Sequence, residues 1–195
     1  MAFGLIHSLL ASYSAKAIAQ RVLGRNVATA TYRLLFNIAA LITVVPAMYL
    51  VFTLPDRQLY RLPAPWDSIA LGVQALAVLG LAYALYQMDA WFFLGLRQLG
   101  EPSSIDSTST AQLVTSGLYR IVRHPLYTFS LIALYLTSPM SLNWLAFALS
   151  CNVYFYLGSI FEERKLVAEF GDAYRGYQQQ VPRLLPRPWR WLKNL

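Results

Sequence analysis

Apolar residues along the chain are grouped into long stretches that short polar segments separate. Residues 32–54 and 66–94 are almost continuously apolar, whereas residues 3–18 are apolar but carry several polar side chains. A further run, residues 126–160, is interrupted by polar residues and a proline at 137–143 and is too long for one crossing of a bilayer. Because about 20 helical residues cross the hydrocarbon core, the pattern predicts five transmembrane helices, the last two forming a helical hairpin.

The last of these helices becomes strongly charged after Ile160, and we expect it to extend into water until Gly171 ends it. A helical tail is expected to follow. The pattern therefore predicts an all-α integral membrane protein with a single membrane domain, 1–195. A three-helix part covers 1–98, and a second part, 99–195, ends in the tail.

Composition agrees with a membrane environment. Hydrophobic residues make up 57% of the chain and charged residues 13%, so it cannot present an ordinary water-facing surface. Lys16 interrupts the first apolar stretch, and no basic segment with a small-residue cleavage site opens the chain. We therefore expect the first helix to be retained in the mature protein.

The distribution of positive charge predicts the orientation in the membrane. The formal net charge is +7, but lysine and arginine lie at the ends of apolar segments rather than along one stripe, which argues against a nucleic-acid partner. Basic residues accumulate on the cytosolic side of membrane proteins. With five crossings, only Arg57 and Arg61 fall on one side, and every other basic residue falls on the opposite side. We therefore expect a multi-pass protein of a bacterial or archaeal cell membrane, with its N-terminus outside and its tail in the cytosol.

The possible metal ligands are few. Cys151 is the single cysteine and lies within an apolar helix, which excludes an intrachain disulfide and favours a structural role. His7 and His124 are predicted near opposite membrane surfaces, so they cannot ligate one haem together. We expect no metal site, and for His7 a hydrogen bond between helices.

Two polar clusters flank the predicted hairpin. Residues 117–127, which include Arg123 and His124, precede its first helix, and Glu162 and Glu163 lie where its second helix leaves the membrane. The hairpin should therefore bring the two clusters together. Ordinary explanations also exist, since arginine and tyrosine are common at the headgroup boundary, proline is common in a first helical turn, and a glutamate often pairs with a lysine one turn further on. Adjacent side chains point about 100° apart on a helix, and we expect Glu163 to be the one that faces the other helices.

A larger set of residues covers both clusters and the tail. It comprises residues 113–119, residues 123–127, Glu162, Glu163, Leu166, Phe170, Gly171, Tyr174, Tyr177, Val181, Pro182 and Pro186. In the order and spacing of this set the chain resembles the membrane methyltransferases of the isoprenylcysteine carboxyl methyltransferase and phospholipid methyltransferase type. The resemblance implies an enzyme that takes a methyl group from S-adenosylmethionine at the cytosolic face of the membrane.

The resemblance also implies which residues hold this cofactor. They are Gln112, Leu113, Val114, Gly117, Tyr119, Arg123, His124, Pro125, Leu126, Tyr127, Glu162 and Glu163. Glu163 and His124 are the candidate catalytic residues, since either could accept a proton from the methyl acceptor. A carboxylate suits the ammonium and sulfonium groups of the cofactor, and aromatic side chains suit its adenine.

The methyl acceptor is less defined. Enzymes of this type that methylate isoprenylcysteine carboxylates carry an arginine one helical turn before the glutamate pair, where this chain has Ser159. Without that arginine, an anionic acceptor would need Arg97, Arg120 or Arg123 as its partner.

A second resemblance concerns the N-terminal half. Residues 7–12, Lys16, Asp89 and residues 95–98 are similar to the bacterial branch that contains methanethiol S-methyltransferases and NnrU-like proteins. The implied acceptor is a small thiol, beside the lipophilic alternatives of a prenylcysteine or a lipid. The candidate substrate residues are Arg97, Gln98 and Ser159.

A non-enzymatic alternative is a small membrane transporter or scaffold whose polar residues only pack and cap helices. Such a protein would carry polar or ionisable groups near the middle of its spans. Apart from Asn37, Gln74, Asn152 and scattered serines and threonines, the predicted spans carry few, and no ionisable group lies deep within the long ones.

Overall fold

The computed structural model describes residues 2–100 and 113–186, and this part of the chain is mostly helical. Nine helices and two short strands follow one another along it. They are α1 (Ala2–Leu10), α2 (Tyr13–Leu23), α3 (Arg25–Thr53), β1 (Gln58–Tyr60), α4 (Trp66–Gln87), α5 (Ala90–Leu94), α6 (Arg97–Gly100), α7 (Pro125–Tyr135), β2 (Met140–Ser141), α8 (Leu142–Phe170) and α9 (Asp172–Gln180). A 3-10 turn, Gly117–Arg120, precedes α7.

Three of the described helices, α3, α4 and α8, are long and apolar enough to cross a membrane. Many of their large apolar side chains are exposed, among them Leu41, Leu71 and Leu149. An exposed apolar surface of this extent suits contact with lipid. At 11 residues, α7 is shorter and covers about 17 Å. The chain is thus a helical membrane protein.

Two of the apolar stretches are divided where one helix was expected. The prediction that residues 66–94 form one continuous helix is wrong, because α4 ends at Gln87 and α5 begins at Ala90. Between them Asp89 adopts a left-handed conformation, with φ 59°, and its carboxylate accepts the Phe92 N–H at 3.2 Å as the N-cap of α5. The weaker first stretch is likewise divided, with Ser12 capping α2.

The contacts divide the chain into two compact units. The first unit is Met1–Pro55 with Met88–Gln112, and the second is Asp56–Gln87 with Leu113–Leu195. In the first unit, α1, α2, α5 and α6 all pack against α3.

Gly95 allows the loop between α5 and α6 to approach α3. Its φ is +85°, and a Cβ at this position would lie 2.5 Å from the backbone nitrogen of Leu34. The side-chain amide of Asn37 donates hydrogen bonds to the carbonyl oxygens of Phe93 and Leu94, both at 3.0 Å. The polar group that the sequence places in the α3 span therefore holds the end of α5.

In the second unit, α7 packs along α4 and is joined to α8 as the predicted helical hairpin. A Cβ at Gly80 would lie 2.8 Å from the ring of Phe129, so this glycine allows α4 and α7 to approach closely. At the turn of the hairpin, β2 pairs antiparallel with β1, with Gln58 opposite Ser141.

Helix α8 ends at Gly171, where φ is 56° and where the sequence predicts its end. Helix α9 then folds back on α8 through a small core of Tyr174, Tyr177 and Val181, against which Leu113 and residues of the last turns of α8 pack. This core brings the segment after α9 to the start of α7.

Candidate functional site

The start of α7 is held by the chain that follows α9. His124 is the N-cap of α7, and Pro125 occupies the first helical turn, where its missing N–H leaves no bond unmade. The backbone N–H of Arg123 donates to Pro182 O at 2.9 Å, and that of His124 donates to Arg183 O at 3.2 Å. Residues 181–184, which we call the clasp, therefore run beside the first turn of α7.

Glu163 lies at the centre of the polar cluster. It is 3% exposed, as expected of the inward-facing glutamate. Its Oε1 atom accepts from Arg123 Nε at 2.8 Å and Arg183 Nε at 3.2 Å, and lies 3.1 Å from His124 Nε2. Its Oε2 atom accepts from Gln178 Nε2 at 2.8 Å and Arg183 Nη2 at 2.9 Å. Both oxygens of the carboxylate are therefore fully engaged.

Arg123 joins this carboxylate to the clasp. Besides Glu163, its guanidinium donates through Nη1 to the carbonyl oxygens of Gln178, at 2.9 Å, and Val181. A planar guanidinium can serve several acceptors in fixed directions. Arg123 therefore connects the end of α8, the end of α9 and the start of α7.

His124 lies between the two glutamates. Its Nε2 atom is 3.1 Å from Glu163 Oε1, and its Nδ1 atom is 3.4 Å from Glu162 Oε2. Burial alone would lower the pKa of His124. The negative charges of Glu162 and Glu163, and the hydrogen bonds that His124 forms with them, outweigh burial and raise the pKa above 6.5. Only the imidazolium carries a proton on both ring nitrogens, so this geometry suits the charged form.

Glu162 differs from Glu163 in its surroundings. Its side chain is 44% exposed, and its Oε2 atom accepts from the Tyr127 hydroxyl at 3.2 Å. The structure therefore pairs Glu162 with α7 rather than with a lysine of its own helix. Tyr127 also stacks between His124 and Phe155, with ring centroids 5.3 and 4.8 Å away.

Beside this cluster lies an open cleft of about 300 Å³. Its walls are formed by Ile160, Glu163, Arg164, Val167, Gln178 and Arg183. The cleft therefore reaches both the central carboxylate and the clasp.

The structure brings most of the predicted site residues of the second unit together. Arg123, His124, Tyr127, Glu162 and Glu163 are linked by hydrogen bonds and ion pairs through the two glutamates, and Pro125 begins the helix that carries Tyr127. The turn Gly117–Arg120 is attached to the same unit through Tyr119, whose carbonyl accepts a hydrogen bond from the Tyr177 hydroxyl. Leu113 packs on the α9 core.

Four other predicted site residues are Gln112, Val114, Leu126 and Ser159. Val114 and Leu126 are half-buried, and Gln112 lies outside the described residues. Ser159 is fully buried, and its hydroxyl donates to the Tyr156 carbonyl of its own helix at 2.7 Å.

Two candidate substrate residues belong to the first unit. Arg97 forms an ion pair with Asp89, and Gln98 donates to the Phe92 carbonyl at 3.1 Å. These contacts give both side chains a role in shaping the loop between α5 and α6.

Sequence reasoning missed Gln178 and Arg183, which bind Glu163 directly. In the sequence, Arg183 is one of several positive charges in the tail. Its place directly after Val181 and Pro182, both part of the recognised pattern, is the signal that could have indicated its role.

The geometry predicts how stability depends on pH. Because the pKa of His124 is raised in the folded state, its stabilising charge is fully present below pH 6.5 and is lost as pH rises through the folded-state pKa. The apparent unfolding temperature in detergent should therefore fall as pH is raised from 6.5 towards 9. A His124→Gln variant should lack this fall, and a His7→Gln variant should retain it. An unchanged pH profile in His124→Gln would show that the imidazolium contributes nothing.

Comparisons with known proteins identify relatives of the chain. The family model for phospholipid methyltransferase matches residues 70–173. A methanethiol S-methyltransferase of Mycobacterium tuberculosis is 31% identical over 196 residues, covering 96% of this chain and 75% of the relative. One from Pseudomonas deceptionensis is 29% identical over 189 residues, covering 94% and 69%. Methanethiol S-methyltransferase 2 of Bradyrhizobium diazoefficiens is 37% identical over 124 residues, covering 64% and 47%. No solved structure matches the chain significantly.

Proposed function

Because this chain belongs to the phospholipid methyltransferase family and is a membrane methyltransferase, we propose that S-adenosylmethionine is its methyl donor. We further propose that the donor binds where the turn before α7, the start of α7 and the end of α8 meet. The observation that carries this proposal is the buried Glu163 carboxylate, which fixes Arg123, His124 and Arg183 around one point.

The residues at this point fit the chemistry of such a donor. Both oxygens of Glu163 are engaged, whereas within the described residues Glu162 accepts hydrogen bonds only through Oε2. We therefore assign Glu162 to the cationic groups of the donor and Arg183, 30% exposed at its side chain, to its carboxylate. The face of Tyr127 can cover a sulfonium or an adenine.

The chain's own residues then have separate tasks. When bound, the donor would supply an electrophilic methyl group to the acceptor. Glu163 holds Arg123 and His124 in place, and the clasp closes the cytosolic side of the start of α7. Alignment of donor and acceptor and exclusion of water can account for most of the rate enhancement of such a displacement.

We propose a small thiol as the acceptor. Three relatives carry the name methanethiol S-methyltransferase, and the fully buried Ser159 stands where carboxyl methyltransferases of the family type carry an arginine. His124 is held as an imidazolium and is a poor base, so the acceptor would react as a thiolate that is already formed. The transporter or scaffold alternative is not favoured.

The proposed arrangement in the membrane follows the charge distribution. We propose five crossings, with the N-terminus outside and the tail in the cytosol of a bacterial or archaeal cell. Support comes from the basic residues, since all but Arg57 and Arg61 fall on the side that would hold Glu163 and the clasp. A donor made in the cytosol would then reach its site directly.

Binding of the product tests the donor. The purified protein should bind S-adenosylhomocysteine in the micromolar range by calorimetry in detergent. With labelled S-adenosylmethionine it should methylate methanethiol faster than a prenylcysteine or a lipid amine. Undetectable binding in several detergents and in nanodiscs would refute the assignment of the donor, and a preference for the lipid amine would refute that of the acceptor.

A further inference from the structure

The side chain of Gln87, the last residue of α4, forms hydrogen bonds with the backbone on both sides of Gly117. Its Nε2 atom donates to Ser116 O at 3.2 Å, and its Oε1 atom accepts the N–H of Leu118 at 3.2 Å. The amide of Gln87 thus forms one hydrogen bond as donor and one as acceptor with the same loop. Gln87 lies outside the set of residues that carries the resemblance to membrane methyltransferases.

Gly117 leaves the space that this amide needs. A Cβ at Gly117 would lie 1.9 Å from Gln87 Nε2, and the glycine has a φ of +57°, which other residues rarely adopt. The Gln87 amide thus occupies the space that a Cβ at Gly117 would take, and the left-handed backbone separately favours glycine. Gln87 and Gly117 therefore form a matched pair, which we call the pin.

The pin holds the start of the loop that leads to Arg123 and His124. The turn Gly117–Arg120 begins at it, and Tyr119, two residues further, is held by the Tyr177 hydroxyl. Burial raises the pKa of Tyr177 to about 12, so this phenol stays a donor. Arg123 and His124 follow shortly after the end of this turn at Arg120. The loop is thereby attached to α4 at its start and to α9 at its middle.

We propose that Gln87 is a positioning residue for methyl transfer, because its amide sets the conformation of the loop that contributes to donor binding. This inference rests on the proposed donor site. It goes beyond that site by assigning a specific task to the end of α4, a helix with no residue in the polar cluster.

A residue that only joined α4 to its neighbours would behave differently. Gln74 provides that comparison, since it lies on α4 as well and its Nε2 atom donates to Ala133 O at 2.7 Å and to Thr137 Oγ1 at 3.2 Å on the α7 side. It is separated from Gln87 by about 20 Å of helix. A Gln74→Leu variant therefore loses a comparable number of hydrogen bonds without touching the loop.

The experiment compares Gln87→Leu with Gln74→Leu in the full-length protein in detergent. Loss of two hydrogen bonds of ordinary strength should raise the Kd for S-adenosylhomocysteine and the KM for S-adenosylmethionine about fivefold to tenfold in Gln87→Leu, with a smaller change in kcat. Gln74→Leu should lower the unfolding temperature and leave Kd and KM unchanged. Gln87→Glu should raise Kd and KM less than Gln87→Leu does, because a carboxylate can still accept the Leu118 N–H but cannot donate to Ser116 O.

Amide hydrogen exchange gives a readout that needs no cofactor. The Leu118 N–H should exchange faster in Gln87→Leu than in the unmodified protein and in Gln74→Leu. In a double-mutant cycle, Gly117→Ala should impair donor binding less in a Gln87→Ala background than alone, since the clash with the amide is gone.

The outcomes separate this inference from the proposed donor. If the unmodified protein binds S-adenosylhomocysteine but Gln87→Leu binds it equally well with unchanged Leu118 exchange, the pin is refuted and the donor site stands. Equal increases of KM in Gln87→Leu and Gln74→Leu would also refute it. If the unmodified protein does not bind the product at all, the donor assignment and the positioning task fall together, whatever the exchange rates.

Discussion

Replacement of Glu163 by alanine should strongly slow methyl transfer and lower the free energy of unfolding by about 3–5 kcal/mol. Loss of this carboxylate leaves Arg123, His124 and Arg183 as neighbouring positive charges, and the side chain of Arg123 is only 9% exposed. An unpaired buried charge is far more costly than the pair was stabilising. Thermal unfolding in detergent and transfer of labelled methyl groups would measure both effects, with a rate loss of about a hundredfold or more.

Two further variants make the test specific. Glu163→Gln retains the size of the side chain but not its charge. Its unfolding temperature should therefore lie between those of the unmodified protein and Glu163→Ala. Glu169, on the same helix, is exposed, and Glu169→Ala should change the unfolding temperature and the rate little. Full activity in a folded Glu163→Ala variant would contradict the central role of this carboxylate.

The large elements could be predicted from the sequence because hydropathy and helix-ending residues act locally. The pattern indicates α3, the beginning of α4 and the hairpin of α7 and α8, and Gly171 ends α8 as its positive φ requires. The break at Asp89 was missed. Apolar residues continue on both sides of Asp89, so hydropathy gives no sign of a break there. The left-handed backbone of Asp89 and its side-chain cap nevertheless start a new helix.

The charged cluster could be predicted only in part. The hairpin places Glu162 and Glu163 beside Arg123 and His124, and that relation follows from the order of the helices. Arg183 could not be assigned in this way, because its partner lies 20 residues earlier and only its place after Val181 and Pro182 distinguishes it from the other arginines of the basic tail. Such contacts depend on how α9 folds back, which the packing of Tyr174 and Tyr177 decides.

The two glutamates are neighbours in the sequence but have different surroundings in the structure. Glu163 is buried and engaged at both oxygens, so it organises cations and has little capacity left for a ligand. Glu162 is more exposed and retains capacity at Oε1 within the described structure. Neighbouring side chains point about 100° apart on a helix, and this difference separates the buried Glu163 from Glu162, which we propose contacts the donor.

Replacement of Arg123 by lysine, which keeps the positive charge, should still impair the enzyme strongly. Arg123 donates to Glu163 Oε1 and to the carbonyl oxygens of Gln178 and Val181, whereas a lysine ammonium is a compact point charge that cannot reproduce the planar arrangement of these donors. Loss of one or two charge-assisted hydrogen bonds should lower the free energy of unfolding by about 2–3 kcal/mol. The clasp should loosen, so that protease cleavage after residue 180 becomes faster and methyl transfer falls at least about tenfold.

Arg175→Lys is the matched control for the same chemical change. Arg175 also pairs with a carboxylate, that of Asp172 at 2.9 Å, but its side chain is 61% exposed, and pairs of this kind contribute little in water. This variant should therefore match the unmodified protein in unfolding temperature, cleavage rate and activity. Equal behaviour of the two lysine variants would mean that charge alone is required at Arg123. A large loss in Arg123→Lys alone would show that the directions of the guanidinium donors hold the clasp, since charge, helix content and side-chain length are nearly preserved in both.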